Sequence, residues 1–159
     1  MAEIHLICGF IGFGKTTLAK QLEKELPAIR FTHDELMLKT YGRNPDDFQT
    51  KYKIIDDTIR SQTIIEVQKG NNVILDYGFW NKNIRREYYE WASVICPKVY
   101  FHALICDVET ARKRTITRTQ NNPNELFISA DIFNSLLNQY KPISEKEGYP
   151  TIYHYSNAK

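Results

Sequence analysis

Several absences narrow this chain of 159 residues before any motif is considered. No apolar run approaches the length of about 20 residues that a membrane-spanning helix needs, and a strand signal begins within the first few residues, leaving no room for a leader. The expectation is a soluble, cytoplasmic protein with no membrane partner. Lysines and arginines number 21 against 19 acids, so the chain lacks the strong positive field that marks an obligate duplex-binding protein. Any nucleic-acid contact would have to be local. Cysteine is sparse, and Cys8, Cys96 and Cys106 are odd in number, scattered and set beside apolar residues. That pattern fits buried thiols in a reducing compartment rather than a disulfide framework. The histidines, His5, His33, His102 and His154, show no metal-ligand spacing, three of them lie in strand-like runs, and no zinc site is expected. Internal repeats and low-complexity segments are missing too.

What is present is apolar content of 42%, enough to bury one core in a chain too short for two comfortable domains. Residues 1–159 are therefore read as a single domain. The chain is organised around Gly9-Phe10-Ile11-Gly12-Phe13-Gly14-Lys15-Thr16-Thr17, which fits G-x-x-x-x-G-K-[ST] and follows the apolar run Ile4-His5-Leu6-Ile7-Cys8. Strand, glycine-rich turn and helix come in the order a phosphate-binding loop requires. Glycines let the backbone wrap with its N–H groups pointing inward, and the helix that opens at Lys15 adds its positive end. Lys15 can reach terminal phosphates as a point charge, and the Thr16 hydroxyl is placed to ligate a magnesium ion bridging them. Gly9, Gly12, Phe13, Gly14, Lys15, Thr16 and Thr17 form the candidate nucleotide-binding set, with Thr17 also readable as a simple extension of the helix.

Further along, Lys15 to Leu26 reads as a helix ended by Pro27, and Ala28 to Phe31 as a short strand. Asn44-Pro45-Asp46-Asp47 reads as a helix start, with an N-cap residue, a proline at the first position and acids in the first turn. Phe48, Tyr52, Ile55 and Ile59 would be its apolar face, and Gly70 its stop. Val73-Ile74-Leu75-Asp76 is a buried strand with a carboxylate at its far end. Ile84, Tyr88, Trp91 and Ile95 mark the core face of the next helix, closed by Pro97. Val99 to Cys106 is a strand, Asp107 caps a helix from Val108 to about Thr119, and Gln120 to Asn124 is a polar loop. Ala130 to Tyr140 is helical, and Thr151 to Tyr155 is a last strand. Strands separated by helices imply right-handed crossovers, a parallel sheet covered on both faces, and ligands beyond its carboxyl ends.

Phosphoryl chemistry needs positioning, charge neutralisation and a group that orients the acceptor. Asp34, just past the second strand, can accept the proton of an acceptor hydroxyl, or can simply cap the helix that follows; His33 beside it reads as incidental. Asp76 can hold magnesium or its waters, or can cap the Tyr77-Gly78 turn. Arg114 and Arg118 lie one helical turn apart and suit a lid closing on phosphates, or else a solvated face shared with Arg112 and Lys113. Arg85 and Arg86 can reach an anionic acceptor or face solvent. Phe79, Trp80 and Tyr89 are candidates to stack a base or pack a sugar.

With these residues in view, the chain resembles the small P-loop kinases with AAA-type ATP-binding domains. That group includes polynucleotide 5′-hydroxyl kinases, gluconate and shikimate kinases, chloramphenicol phosphotransferase and zeta toxins. The resemblance rests on Gly9 to Thr17, Phe31-Thr32-His33-Asp34, Val73-Ile74-Leu75-Asp76 and Arg114-x-x-x-Arg118, and it covers nearly the whole length. It implies a three-layer α/β/α P-loop NTPase fold with a five-stranded parallel sheet and a helical lid over residues 108–129. It also implies ATP and Mg2+, with Lys15, Asp34, Arg114 and Arg118 as catalytic residues and Thr16 and Asp76 at the metal. Asp34 is followed here by Glu35-Leu36-Met37 rather than the acid and arginine usual in polynucleotide kinases, and Asp76 by Tyr77-Gly78-Phe79-Trp80 rather than an Asn-Thr pair. A small-molecule hydroxyl is thus favoured as acceptor over a single-stranded nucleic-acid end. Two other classes fit less well. A GTPase-like switch needs Asp-x-x-Gly and Asn-Lys-x-Asp, against Asp76-Tyr77-Gly78 and Asn81-Lys82-Asn83-Ile84 here. A ring-forming ATPase needs a helical subdomain for which Ser156 to Lys159 leave no space.

Overall fold

The apolar runs of the sequence become the middle of a sheet. In the computed structural model, which describes residues 1–42, 45–123 and 127–156, β1 (Ile4–Cys8) is buried along its whole length. It is followed by α1 (Lys15–Glu25), β2 (Ala28–Phe31), α2 (His33–Tyr41), α3 (Phe48–Gln68), β3 (Asn72–Gly78) and α4 (Lys82–Ile95). Then come β4 (Val99–Ile105), α5 (Val108–Asn121), α6 (Ala130–Leu137) and β5 (Thr151–Tyr155). The strands pair in parallel in the order β2-β3-β1-β4-β5. Strand order reverses beside β1, so the crevice beyond its carboxyl end is where ligands of such sheets bind. No described helix is long and apolar enough to cross a membrane.

Side-chain alternation sends each strand's residues into two cores. Ile4, Leu6 and Cys8 pack with Met37 of α2, Ile55 and Ile59 of α3, and Tyr88 and Ala92 of α4. Ile7, Ile74 and Leu104 pack with Leu18 and Leu22 of α1, Ala111 of α5 and Phe133 of α6. Each such aliphatic side chain withdrawn from water stabilises the fold by about 1.5–3 kcal/mol. All three cysteines are buried free thiols.

Several expectations are corrected. The long helix starts at Phe48, not at Pro45, because Asp47 adopts a left-handed backbone at φ 48° that interrupts any helical run through the preceding residues. Its expected N-cap, Asn44, lies outside the described residues, as do Asn124 of the polar loop and residues 157–159. Of the expected core face of α4, Tyr88 is buried and Trp91 and Ile95 pack against the core, but Ile84 is 38% exposed and Arg85 and Ala92 are buried in its stead. Arg85 neither faces solvent nor waits for a ligand: it is fully buried, donating from Nε and Nη2 to the two Glu147 carboxylate oxygens at 2.9 and 3.1 Å. Its Nη1 donates to the Phe79 and Lys141 carbonyls, both at 2.8 Å. A bidentate partner and two carbonyls satisfy the charge that burial would otherwise make prohibitive. Finally, Phe79 is 2% exposed in the core and cannot stack a base.

One polar line crosses the second core. Glu3 accepts from His5 Nε2 at 3.0 Å, His5 Nδ1 meets His102 Nε2 at 2.7 Å, and His102 Nδ1 meets His154 Nε2 at 2.9 Å. With His5 and His102 held neutral by burial, the carboxylate sets the direction: His5 donates from Nε2 to Glu3, His102 from Nε2 to His5 Nδ1, and His154 from Nε2 to His102 Nδ1. Burial, and then the neighbouring His5 and His154, push His102 down to about 3.

Candidate active site

The loop after β1 is shaped by what it touches. Gly12 has φ 80°, and a Cβ there would stand 2.6 Å from both the Ala111 carbonyl and Thr115 Oγ1, so α5 sits directly on the loop. Gly78 at the end of β3 has φ 90°, and a Cβ would meet Trp80 Nε1 at 2.9 Å. That close approach lets the Gly78 carbonyl accept from the Gly9 N–H at 3.0 Å, and lets Trp80 Nε1 donate to the Gly9 carbonyl at 3.1 Å. The β3 turn therefore holds the start of the loop from two sides. Gly14, φ 93°, is the N-cap of α1 and supplies no side-chain cap, so the first-turn amides beside the exposed Thr16 and Thr17 point out of the helix end. The Phe13 ring is buried against Phe10 and Tyr140, and its N–H is donated to the Phe10 carbonyl at 3.1 Å.

The Lys15 stem folds back across Gly9, where an added Cβ would lie 3.2 Å from Lys15 Cγ. Burial lowers the Lys15 pKa, opposed by the charges of Asp76 and Asp34 and assisted by Arg118, which places all four groups within electrostatic reach. Burial likewise raises Asp76, opposed by Lys15 and Arg30. Asp76 Oδ1 is buried without a hydrogen-bond partner among the described residues. Such an orphaned carboxylate oxygen suits a magnesium ion or its waters, with the Thr16 hydroxyl across the loop, because this ion takes few protein oxygens and keeps water and phosphate. Asp34 is exposed in the first turn of α2; Thr32, not Asp34, is the N-cap, so the capping alternative for Asp34 falls away. Arg114 Nη1 donates to Ser156 Oγ at 3.1 Å and to the Gly12 carbonyl at 3.4 Å. Arg114, Arg118, Thr17, Gly12 and Gly14 line one cleft of about 810 Å³, together with His154.

A second cleft, of about 490 Å³, opens between α3, α4 and the turn after β3, and few of its residues carry a signal in the sequence. Its hub is Asp56, which accepts from His33 Nε2 at 2.9 Å, from the Tyr88 hydroxyl, and from Arg60 Nε at 3.0 Å. Burial works to raise Asp56, but the hydrogen bonds from His33 and Tyr88 and the Arg60 charge prevail and hold it at about 2. The His33 ring stacks on Tyr52 at 4.4 Å, so His33 is a structural centre of this cleft rather than incidental. Tyr52, 40% exposed, belongs to a Tyr52-Asp56-Arg60 stripe and not to the apolar face of α3. That four-residue spacing is the signal the sequence offers for it. Burial, then Asp56 and Asp34, push Tyr52 up to about 12, and the Asp34 charge acts on Lys15 of the phosphate loop as well.

The fold and the loop geometry agree with a family model for an AAA domain that matches residues 4–143. The chain belongs to the AAA domain family. No curated protein matches it. Among solved structures, it is similar to a provisionally assigned kinase from Chloroflexus aurantiacus j-10-fl, with TM-score 0.74 and 15% identity over 97% of this chain and 88% of that one. It is also similar to a gluconokinase from Sinorhizobium meliloti 1021, with TM-score 0.64 and 12% identity over 96% and 82%. A third is Kti12 from Chaetomium thermophilum in complex with ADP-AlF3, with TM-score 0.68 and 16% identity over 96% and 88%. At these identities the likeness is one of fold, and the AAA domain of this chain has the three-layer, five-stranded architecture of P-loop kinases.

Proposed function

We propose that this AAA domain is an ATP-dependent kinase that moves the γ-phosphoryl group of ATP onto a hydroxyl of a small molecule. The observation that supports the reading is a buried Asp76 oxygen without a hydrogen-bond partner among the described residues, under the charge of Lys15, with Asp34 acting electrostatically on both Lys15 and Tyr52. The loop from Gly9 to Thr17 holds the triphosphate through the first-turn amides of α1 and the Lys15 ammonium, while the Gly9 and Phe13 N–H groups keep the loop in shape. Thr16 and Asp76 hold magnesium, which when bound supplies charge neutralisation at the phosphates. Arg114 and Arg118, on α5, act as the lid groups that hold charge developing on the transferring group. Asp34 orients the acceptor hydroxyl and takes its proton as the oxygen attacks in line. Exposure leaves Asp34 accessible to a substrate, as a general base must be.

Asp34→Asn keeps the size and removes the basicity. Transfer from γ-labelled ATP should fall on the order of 10²–10⁴-fold while ATP affinity is retained. Undiminished transfer by this variant would remove Asp34 from the mechanism.

A further inference from the structure

Resting on that kinase reading, we infer that the cleft between α3 and α4 takes an uncharged alcohol built on a planar ring, of the nucleoside kind, as phosphoryl acceptor. The charge balance of the cleft leads to this class. Three ionised side chains line it, Asp56, Glu87 and Arg60, so acids outnumber bases among the described residues. The Arg60 guanidinium is already shared, donating to Asp56 at 3.0 Å and to Glu87 at 2.9 Å, with its carbon 4.3 Å from the Tyr88 ring centroid and 5.1 Å from that of Trp91. Arg85, the other arginine of this region, is enclosed by Glu147 and two carbonyls. An acceptor carrying a phosphate or carboxylate would therefore meet two carboxylates and no uncommitted cation among the described residues of the cleft, the like-charge arrangement that excludes wrong partners.

The walls set the shape. Tyr52 lies on His33 with one ring face, and Trp80 lies 4.9 Å from Phe10, so both rings are held in place while lining the cleft. Rings fixed in this way stack a flat heterocycle at little conformational cost. Two amides, Asn81 and Gln139, line the same space. Asn81 Oδ1 accepts from the Ile84 N–H at 2.9 Å, leaving its NH2 to donate to a ring carbonyl or hydroxyl. A volume of about 490 Å³ suits a ligand of this size. Trp80 also joins the clefts, since the same indole that lines the acceptor wall donates its N–H to Gly9 of the phosphate loop.

The test is calorimetric titration of the purified protein with thymidine, adenosine, thymidine 5′-monophosphate, gluconate and glucose, with and without a saturating non-hydrolysable ATP analogue and magnesium. With the analogue bound, a nucleoside should bind at least about tenfold more tightly than the monophosphate, gluconate or glucose. Tyr52→Ala should weaken nucleoside binding about tenfold. Glu87→Gln, an exposed position, should narrow the ratio of thymidine to its monophosphate. An anion or glucose binding as tightly as the nucleosides, or no binding of either nucleoside, would overturn the inference. Failure of the ATP analogue itself to bind would instead sink the kinase reading, and the thymidine-to-monophosphate ratio measured without it would still decide the acceptor class.

Discussion

The two clefts at the sheet edge are built in opposite ways. The phosphate-loop cleft takes its key groups from one unbroken stretch, Gly9 to Thr17, in which main-chain direction does most of the chemistry. The aromatic cleft is assembled from His33, Tyr52, Asp56, Arg60, Trp80 and Tyr88, drawn from three helices and a turn. In the first, function rides on a local backbone path that the fold merely holds in position. In the second, function and stability share the same side chains, because the network that shapes the cleft also closes the core beneath α3 and α4.

Two substitutions sharpen the contrast. Arg85 anchors the turn that carries Phe79 and Trp80, so Arg85→Ala leaves Glu147 unpaired and two carbonyls without their donor. Breaking one side of a buried pair costs about 3–5 kcal/mol, which should appear as a large fall in the urea midpoint. Lys15→Ala should do the reverse. ATP affinity or turnover should drop about 10²–10³-fold, as for loss of one preorganised electrostatic group. Stability should fall by far less than in the Arg85 variant, because the loss of the Lys15 charge beside buried Asp76 is offset by the removal of a desolvated ammonium. Unfolding of the Lys15 variant, or an unperturbed midpoint in the Arg85 variant, would break the distinction between the clefts.

The same contrast explains what is legible in the sequence. The parallel sheet and its covering layers follow from apolar runs alternating with helices, and the loop follows from glycines at fixed offsets, both of which are local signals; the order β2-β3-β1-β4-β5 is set by pairings between distant strands, which no local pattern carries. Arg85 reads as either exposed or ligand-directed because its partner Glu147 is far along the chain, and no periodicity announces a buried ion pair. His33 reads as incidental because the residues that give it a role, Asp56 and Tyr52, belong to another helix. The start of α3 is displaced from its expected position because Asp47 adopts a left-handed backbone, which the Asn-Pro-Asp-Asp signature does not reveal. Trp80 stands out in the sequence as an aromatic near the Asp76 edge, but its bond to Gly9 depends on the close approach at Gly78.

A last expected effect separates the clefts by pH. His102 is held down to about 3 by burial first and then by its histidine neighbours, and burial lowers His154 as well, the ladder member that lines the phosphate-loop cleft. An unfolded histidine titrates near 6.5, so as pH falls below that value the unfolded chain takes up protons that the folded ladder refuses. Stability present above 6.5 is then lost toward pH 3, at a limiting slope of about 1.4 kcal/mol per pH unit for each histidine refused a proton. On the aromatic side, Asp56 sits at about 2 in the fold against an ordinary 3.8, so its stabilisation is complete above 3.8 and is lost only below it. Between pH 6.5 and 4 the histidine ladder should lose stability while the Asp56 carboxylate keeps its own. Urea midpoints measured across that interval should decline in the native protein and flatten in His102→Gln, whose amide cannot take up a proton. An equal decline in that variant would place the pH sensitivity outside the ladder.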